Sequence, residues 1–208
     1  MVSITHTGEC PEKISLIIEA AQNRFGLYGF EKTTMNEIAS DLNMSKGSLY
    51  YYFPDKEHLY IAVIQKEHDI LIRMVNEKVT SLSDPSQMIR EYANIRLSYF
   101  RTLLNLSRFR HNQGISEFHT MIHKQWDVFK IQEISLISEI LRYGIKNDSF
   151  ENQDVNETAE LLLDIIKGLS ASFLKHKDIF YLEDTEYAAL DKKIKSFVEM
   201  FIRSLIKR

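Results

Sequence analysis

The reading turns on residues 33–54, Thr33-Thr34-Met35-Asn36-Glu37-Ile38-Ala39-Ser40-Asp41-Leu42-Asn43-Met44-Ser45-Lys46-Gly47-Ser48-Leu49-Tyr50-Tyr51-Tyr52-Phe53-Pro54. Thr34 and Glu37 stand as T-x-x-E, the spacing at which each side chain satisfies the other residue's free backbone N–H at a helix start. Met35, Ile38, Ala39 and Leu42 then give a short helix one apolar face. Only Asn43 and Met44 intervene before Ser45, a second N-cap residue. The helix it starts must stop at Phe53, because Pro54 disfavours α geometry in the residue before it. Two short helices joined by a tight turn make a helix-turn-helix, whose second helix is the one that enters the DNA major groove.

That second helix carries suitable chemistry. Leu49 and Phe53 lie four apart and can anchor it on Ile38 and Phe25, which leaves Lys46, Gly47, Ser48, Tyr50, Tyr51 and Tyr52 on or near the outside. Three consecutive tyrosines are too many to be core. Their hydroxyls suit phosphate oxygens and their rings suit thymine methyls, while Gly47 lets the backbone come close to a duplex. The facing of Tyr52 is divided between this surface and packing under the helix end. Lys56, in the first turn of the next helix, adds a cation where backbone N–H groups already favour phosphate.

Outward from this centre the pattern stays helical. Ile14, Ile17, Ile18, Ala21, Phe25 and Tyr28 fall on one helix face after Pro11, and Gly29 closes that helix. Asp55 caps a long helix towards Val79, and Asp84-Pro85 starts another to about Leu104. Residues 105–113 read as a short helix or irregular elbow. A long segment runs from Gly114 and Ser116 past Leu141 until Gly144 and Asn147-Asp148. The segment 155–175 is apolar almost all round, and in 185–206 Ile194, Phe197, Val198, Phe201 and Leu205 form a single stripe. Seven Gly and three Pro in 208 residues are far below the roughly 12% average for the two together, too few turns for a sandwich or barrel. The fold class is therefore all-α. With 44% hydrophobic and 26% charged residues the chain is globular, and it has no apolar run long enough to span a membrane. Met1 to Cys10 does not read as a signal peptide, and a lone Cys10 suits a reducing compartment, so the expected location is cytoplasmic.

From Phe25 to Gly29-Phe30, Thr33-Thr34, Ile38-Ala39, and then Met44-Ser45-Lys46-Gly47-Ser48-Leu49-Tyr50, Tyr52-Phe53, Lys56 and Leu59, the chain resembles the N-terminal signature of the tetracycline-repressor-like (TetR-like) regulators of bacteria. The resemblance covers residues 13–60. Its one departure is Asn43, where the family usually places Gly; Asn tolerates left-handed geometry next best. The resemblance implies about nine helices, with a DNA-binding domain over 1–54 and an effector-binding and dimerisation domain over 55–208. It also implies that Thr33, Thr34, Ser45, Lys46, Gly47, Ser48, Tyr50, Tyr51 and Lys56 meet DNA. For Thr34 and Ser45, helix capping coexists with that role. Residues 1–60 sum to -3, unlike a usual nucleic-acid module, but residues 42–54 contain Lys46 and no acid. Few cationic phosphate contacts are therefore expected, with dimeric engagement and hydroxyl and backbone donors supplying the rest.

For the body of the chain the candidates are broader. Tyr92, Tyr99, Phe100, Phe109, Phe118, Met121, Trp126 and Phe129 form an aromatic and Met-rich set suited to a largely apolar ligand, with Arg96, Arg101 or His119 to orient a polar end, although most such residues are simply core. The acid-free run 92–116, with Arg96, Arg101, Arg108, Arg110 and His111, reads first as a solvated basic face. Leu162, Ile166, Leu169, Phe173, Ile194, Phe197, Val198, Phe201 and Leu205 are the candidate homodimer interface. His119, His123 and Asp127 share a helical row, but Thr120 stands where a zincin needs Glu, so no metal or cofactor is expected. Cys10 and His6 have no orienting acid, and no nucleophile elbow or Gly-rich phosphate loop is present. The chain thus reads as a non-enzymatic repressor on an inverted-repeat operator. The alternative is a non-catalytic helical protein-interaction module.

Overall fold

Among the residues described by the computed structural model, local capping, turn and periodicity signals produce eight helices: α1 (Pro11–Tyr28), α2 (Met35–Asp41), α3 (Lys46–Tyr52), α4 (Lys56–Thr80), α5 (Pro85–Leu103), α6 (Glu117–Lys146), α7 (Val155–Leu174) and α8 (Asp184–Leu205). The structure describes residues 11–103, 117–174 and 183–207, with the side chains of 101–103, 117–119 and 174 outside that description. The expected elbow at 105–113 therefore lies outside the described residues. So do His6, Cys10, Arg108, Phe109, Arg110 and His111, and the side chains of Arg101, Phe118 and His119.

The starts follow the sequence. Asp55 Oδ1 accepts from His58 N at 2.7 Å to begin α4, and Asp84 Oδ1 accepts from Ser86 N at 2.9 Å to begin α5. The α6 helix ends at the expected Asn147-Asp148 pair, with Gly144 inside its last turn instead of closing it. The helix passes through Gly144 to Lys146, and the chain turns at Asp148 with φ 56°. Gly144 is needed for another reason: a Cβ there would lie 2.1 Å from the Phe150 ring, which packs across it. Gly144 O also accepts from Ser149 N and Phe150 N, so the tight turn seats Phe150 in the core.

Two apolar clusters organise the chain. The first joins Ile17, Ala21 and Phe25 of α1, Ile38 of α2, Leu49 of α3 and Phe53 to Leu59, Tyr60, Val63 and Ile64 of α4 and to Phe129 of α6. The second is built from Leu71 and Val75 of α4 with α5, the later turns of α6, α7 and α8. One helix of 25 residues, about 37 Å long at 1.5 Å per residue, thus runs unbroken from one core into the other.

The expected dimer residues need correction. Leu162, Ile166, Ile194, Val198, Phe201 and Leu205 are buried in the second cluster of the single chain, so they hold the subunit together and cannot be its outer face. The two-sided apolarity of α7 is satisfied by α6 on one side and α8 on the other. What remains outside is Leu161, 53% exposed, and Met200, 68% exposed, with Leu169, Phe173 and Phe197 half-buried.

Candidate nucleic-acid interface

The platform under α3 comes from α1 and α2. Phe25, Phe30 and Tyr60 meet as a ring triad, with centroids 5.7, 5.4 and 5.1 Å apart. Arg24 clasps α1 to α2 with two parallel bonds to Asp41, Nε at 2.6 Å and a terminal nitrogen at 2.7 Å. That hydrogen-bonded pair pushes the guanidinium up and the Asp41 carboxyl down from their ordinary pKa values. Being exposed, the pair fixes orientation more than it adds stability. The Thr34–Glu37 capping box forms as the spacing requires, Glu37 N donating to Thr34 Oγ1 at 3.3 Å and Thr34 N to Glu37 Oε2 at 2.8 Å. Asn43 takes φ 50°, so the turn between α2 and α3 keeps its left-handed residue without glycine.

Ser45 Oγ then accepts from Ser48 N at 3.1 Å, and α3 lies on its Leu49 side, with Leu49 fully buried. The opposite face carries Lys46, Gly47, Ser48, Tyr50 and Tyr51, all exposed, with Tyr51 69% accessible. The Lys46 ammonium sits 5.6 Å from the Tyr50 ring centroid, which holds the two together on that face. Among the described residues, a Cβ on Gly47 would meet nothing nearer than Ser45 Oγ at 4.0 Å, so their packing gives no reason for a glycine there. Tyr52 is half-buried against the first core, edge-on to Tyr51 at 5.5 Å, and packs under the helix end.

Two expected contacts fall away from this face. Thr33 is buried, and its hydroxyl donates to Gly29 O at 2.8 Å, closing the loop between α1 and α2. Lys56 donates to Phe30 O at 2.8 Å with its ammonium 4.2 Å from the Phe30 ring, so it ties α4 to that loop. Thr34 stays exposed while its hydroxyl donates to Glu37.

Residues 17–63 match the bacterial regulatory proteins of the tetR family. A solved structure of a transcriptional regulator from Cytophaga hutchinsonii is 39% identical, with a TM-score of 0.83 over 94% of this chain and 99% of that one. The chain belongs to the TetR family of bacterial transcriptional regulators. Among curated relatives, the regulator RutR of Escherichia coli K12 is 35% identical over 96 residues, 46% of this chain and 45% of RutR. The probable acrEF/envCD operon repressor of the same strain is 32% identical over 85 residues, 40% and 38%. The chain thus spans less than half the length of these curated relatives.

In the body of this TetR-family chain, the aromatic set separates by burial. Tyr92, Tyr99 and Phe129 are buried, Phe100 and Met121 are half-buried, and Trp126 is 39% exposed. Tyr92 donates to Glu133 Oε2 at 2.9 Å, and Arg96 Nε donates to the same oxygen at 2.6 Å. Arg96 is therefore part of a buried ion pair, which corrects its reading as solvated. Burial alone would raise the Glu133 carboxyl, but the Arg96 charge and the bonds from Arg96 and Tyr92 prevail, and its pKa lies below the ordinary value. Tyr99 donates to Glu67, which also accepts from Gln22 of α1, so one carboxylate joins α1, α4 and α5. Glu67, His68 and Glu133 carry no sequence motif. Their one signal is position: each interrupts an otherwise inward apolar row, Glu67 between Val63 and Leu71, and Glu133 between Phe129 and Ile137.

Proposed function

We propose that this chain acts as a homodimeric repressor that holds an inverted-repeat operator through α3 of each subunit and releases it when a small, largely apolar effector binds in the body. The observation that carries the DNA reading is α3 itself, capped at Ser45 and anchored by Leu49, with Lys46, Gly47, Ser48, Tyr50 and Tyr51 turned outward. A glycine without an internal reason on that face supports close approach of a duplex backbone. The division into a DNA-reading part, 1–54, and an effector and dimer part, 55–208, belongs to the same proposal. The first two turns of α4 serve both parts, since Leu59, Tyr60 and Val63 complete the first core.

The proposed dimer face runs along α7 and α8 through Leu161, Leu169, Phe173, Phe197 and Met200. The switch follows from rigidity. An effector shifts operator affinity only as far as it prefers one spacing of the two α3 helices over another. Helix α4 transmits such a change because it is part of both cores, and the Gln22–Glu67–Tyr99 bonds tie α1 to α5 across it. A gel-shift assay on the DNA upstream of the chain's own gene tests the reading, with sedimentation equilibrium for the dimer. Specific retardation lost on Tyr50→Ala supports it. Absence of binding to any duplex, with a partner protein captured through α3 instead, favours the interaction-module alternative.

A further inference from the structure

His68 is the anomaly of the body. It is 5% exposed, and among the described residues neither ring nitrogen has a hydrogen-bond partner. Buried polar atoms in native proteins are almost always paired, so an imidazole with both nitrogens unpartnered marks a place where something else binds. Phe129 stacks on one face of the ring, centroids 4.0 Å apart and planes within 8°. The stack covers a face and leaves the nitrogen-bearing edge clear of Phe129.

The charges that act on His68 are Glu133, Asp69, Arg96 and Lys167, contributed by α6, α4, α5 and α7. Asp69 is exposed on α4. Arg96 and Glu133 neutralise one another. Lys167 is half-buried and makes no ion pair among the described residues; Asp164, one turn before it, is paired with Lys130. Burial and the nearby Arg96 both push the Lys167 ammonium down from its ordinary pKa. Glu67, the residue before His68, turns its two carboxylate oxygens to Gln22 and Tyr99. Beside the paired Arg96 and Glu133, the cluster therefore offers an ammonium with no ion partner and an imidazole with no hydrogen-bond partner among the described residues. Such a site is complementary to a monoanion that accepts from an imidazole N–H and an ammonium.

We propose that the edge of His68, with Lys167 and the Arg96–Glu133 pair, binds the carboxylate of a small organic acid whose apolar part packs among the aromatic side chains of α5 and α6. This rests on the effector reading above and narrows it to a chemical class. The Phe129–His68 stack links the site to DNA reading, because Phe129 is also part of the first core.

The protein carries its own reporter: Trp126, the only tryptophan, lies edge-on to Phe129 with centroids 5.4 Å apart. The full chain is titrated with benzoate and octanoate, and with benzamide and octanamide as neutral isosteres, following Trp126 fluorescence and calorimetric heat. At least one acid should bind tenfold or more tighter than its amide. His68→Phe keeps the stack and Lys167→Met keeps the length, and each should weaken that acid at least tenfold. Thermal melts confirm that each variant is folded, and Lys167→Met alone carries the test where His68→Phe is not. Equal binding of acid and amide, no binding of either acid, or unchanged binding by the folded variants overturns the site. Inorganic phosphate binding as tightly as the acids overturns the carboxylate assignment. Operator retardation with the bound acid present is measured separately: acid that binds as described without changing DNA affinity upholds the site and refutes the effector reading.

Discussion

The outer face of α3 and the interior of the body use similar residues in opposite ways. On α3, two tyrosines and a lysine stand in solvent, on the side away from the buried Leu49, with Phe53 buried just past the helix end. In the body, Tyr92, Tyr99 and Arg96 are turned inward, and each is bonded to a buried carboxylate on another helix. A polar side chain costs nothing to fold where water still reaches it. A buried one costs several kcal/mol unless its partner is in place. The face is therefore free to be shaped by an external partner, whereas the interior is fixed by mutual dependence among α4, α5 and α6.

The largest effect should come from breaking the interior. Glu133→Ala leaves Arg96 buried without its carboxylate and should lower unfolding stability by about 3–5 kcal/mol, read from urea denaturation. Replacing both partners, Arg96→Met with Glu133→Leu, should restore most of that loss. If Glu133→Ala costs less than about 1 kcal/mol, the pair is in contact with water and the contrast with α3 fails.

On the outer face the pattern should invert. Tyr50→Ala and Lys46→Ala should each weaken operator binding by about 1–3 kcal/mol while stability stays within about 0.5 kcal/mol of wild type. Lys46→Ala should in addition reduce the slope of log affinity against log salt by about 1 if the ammonium meets a phosphate. A Tyr50→Ala protein that unfolds in step with its loss of DNA binding would place that ring among the supports of the fold.

How far sequence alone reached follows from the same contrast. Capping pairs lie three residues apart, Thr34 with Glu37 and Ser45 with Ser48, so the head is legible as a string, and Asn43 took the backbone geometry its side chain permits. The interior bonds join residues 22 to 67, 67 to 99 and 96 to 133, and no local pattern announces them. The α7 and α8 stripes were visible as apolar but not as inward. Their burial depends on where α5 and α6 lie, which periodicity does not fix, so Leu162, Ile166 and Ile194 read as interface residues when they are core. Lys56 shows the limit within the head itself: a lysine at a helix start suits phosphate, yet here it is held by Phe30.

Lys56 therefore offers a sharper test at smaller amplitude. Lys56→Met removes one hydrogen bond to a backbone carbonyl and one cation–ring contact, and should cost about 1 kcal/mol of stability. Its effect on operator affinity should be smaller than that of Lys46→Ala, and the salt slope should stay unchanged. A loss of slope as large as for Lys46 would return Lys56 to the DNA-facing set.

The smallest effect is one of pH. Burial is the main cause that lowers the His68 pKa from the ordinary 6.5, with Arg96 and Lys167 adding to it and Glu133 and Asp69 opposing. In the unfolded chain the imidazole takes up a proton as pH falls through about 6.5, while the folded protein resists until a lower pH. The unfolded state then binds more protons, so this contribution to stability is complete above the unfolded value and is lost as pH falls towards the folded one. Glu133 behaves with the same sign in a separate window, because its carboxyl titrates below its ordinary value of 4.5 and keeps its charge throughout the range in which His68 changes. Urea midpoints at pH 8 and pH 5.5 should accordingly fall more for wild type than for His68→Phe. The remaining histidines are common to both proteins and cancel in the comparison. Parallel pH curves for the two would mean that His68 accepts a proton in the folded protein as readily as in the unfolded chain, and the interior would then hold one polar group as free as those on α3.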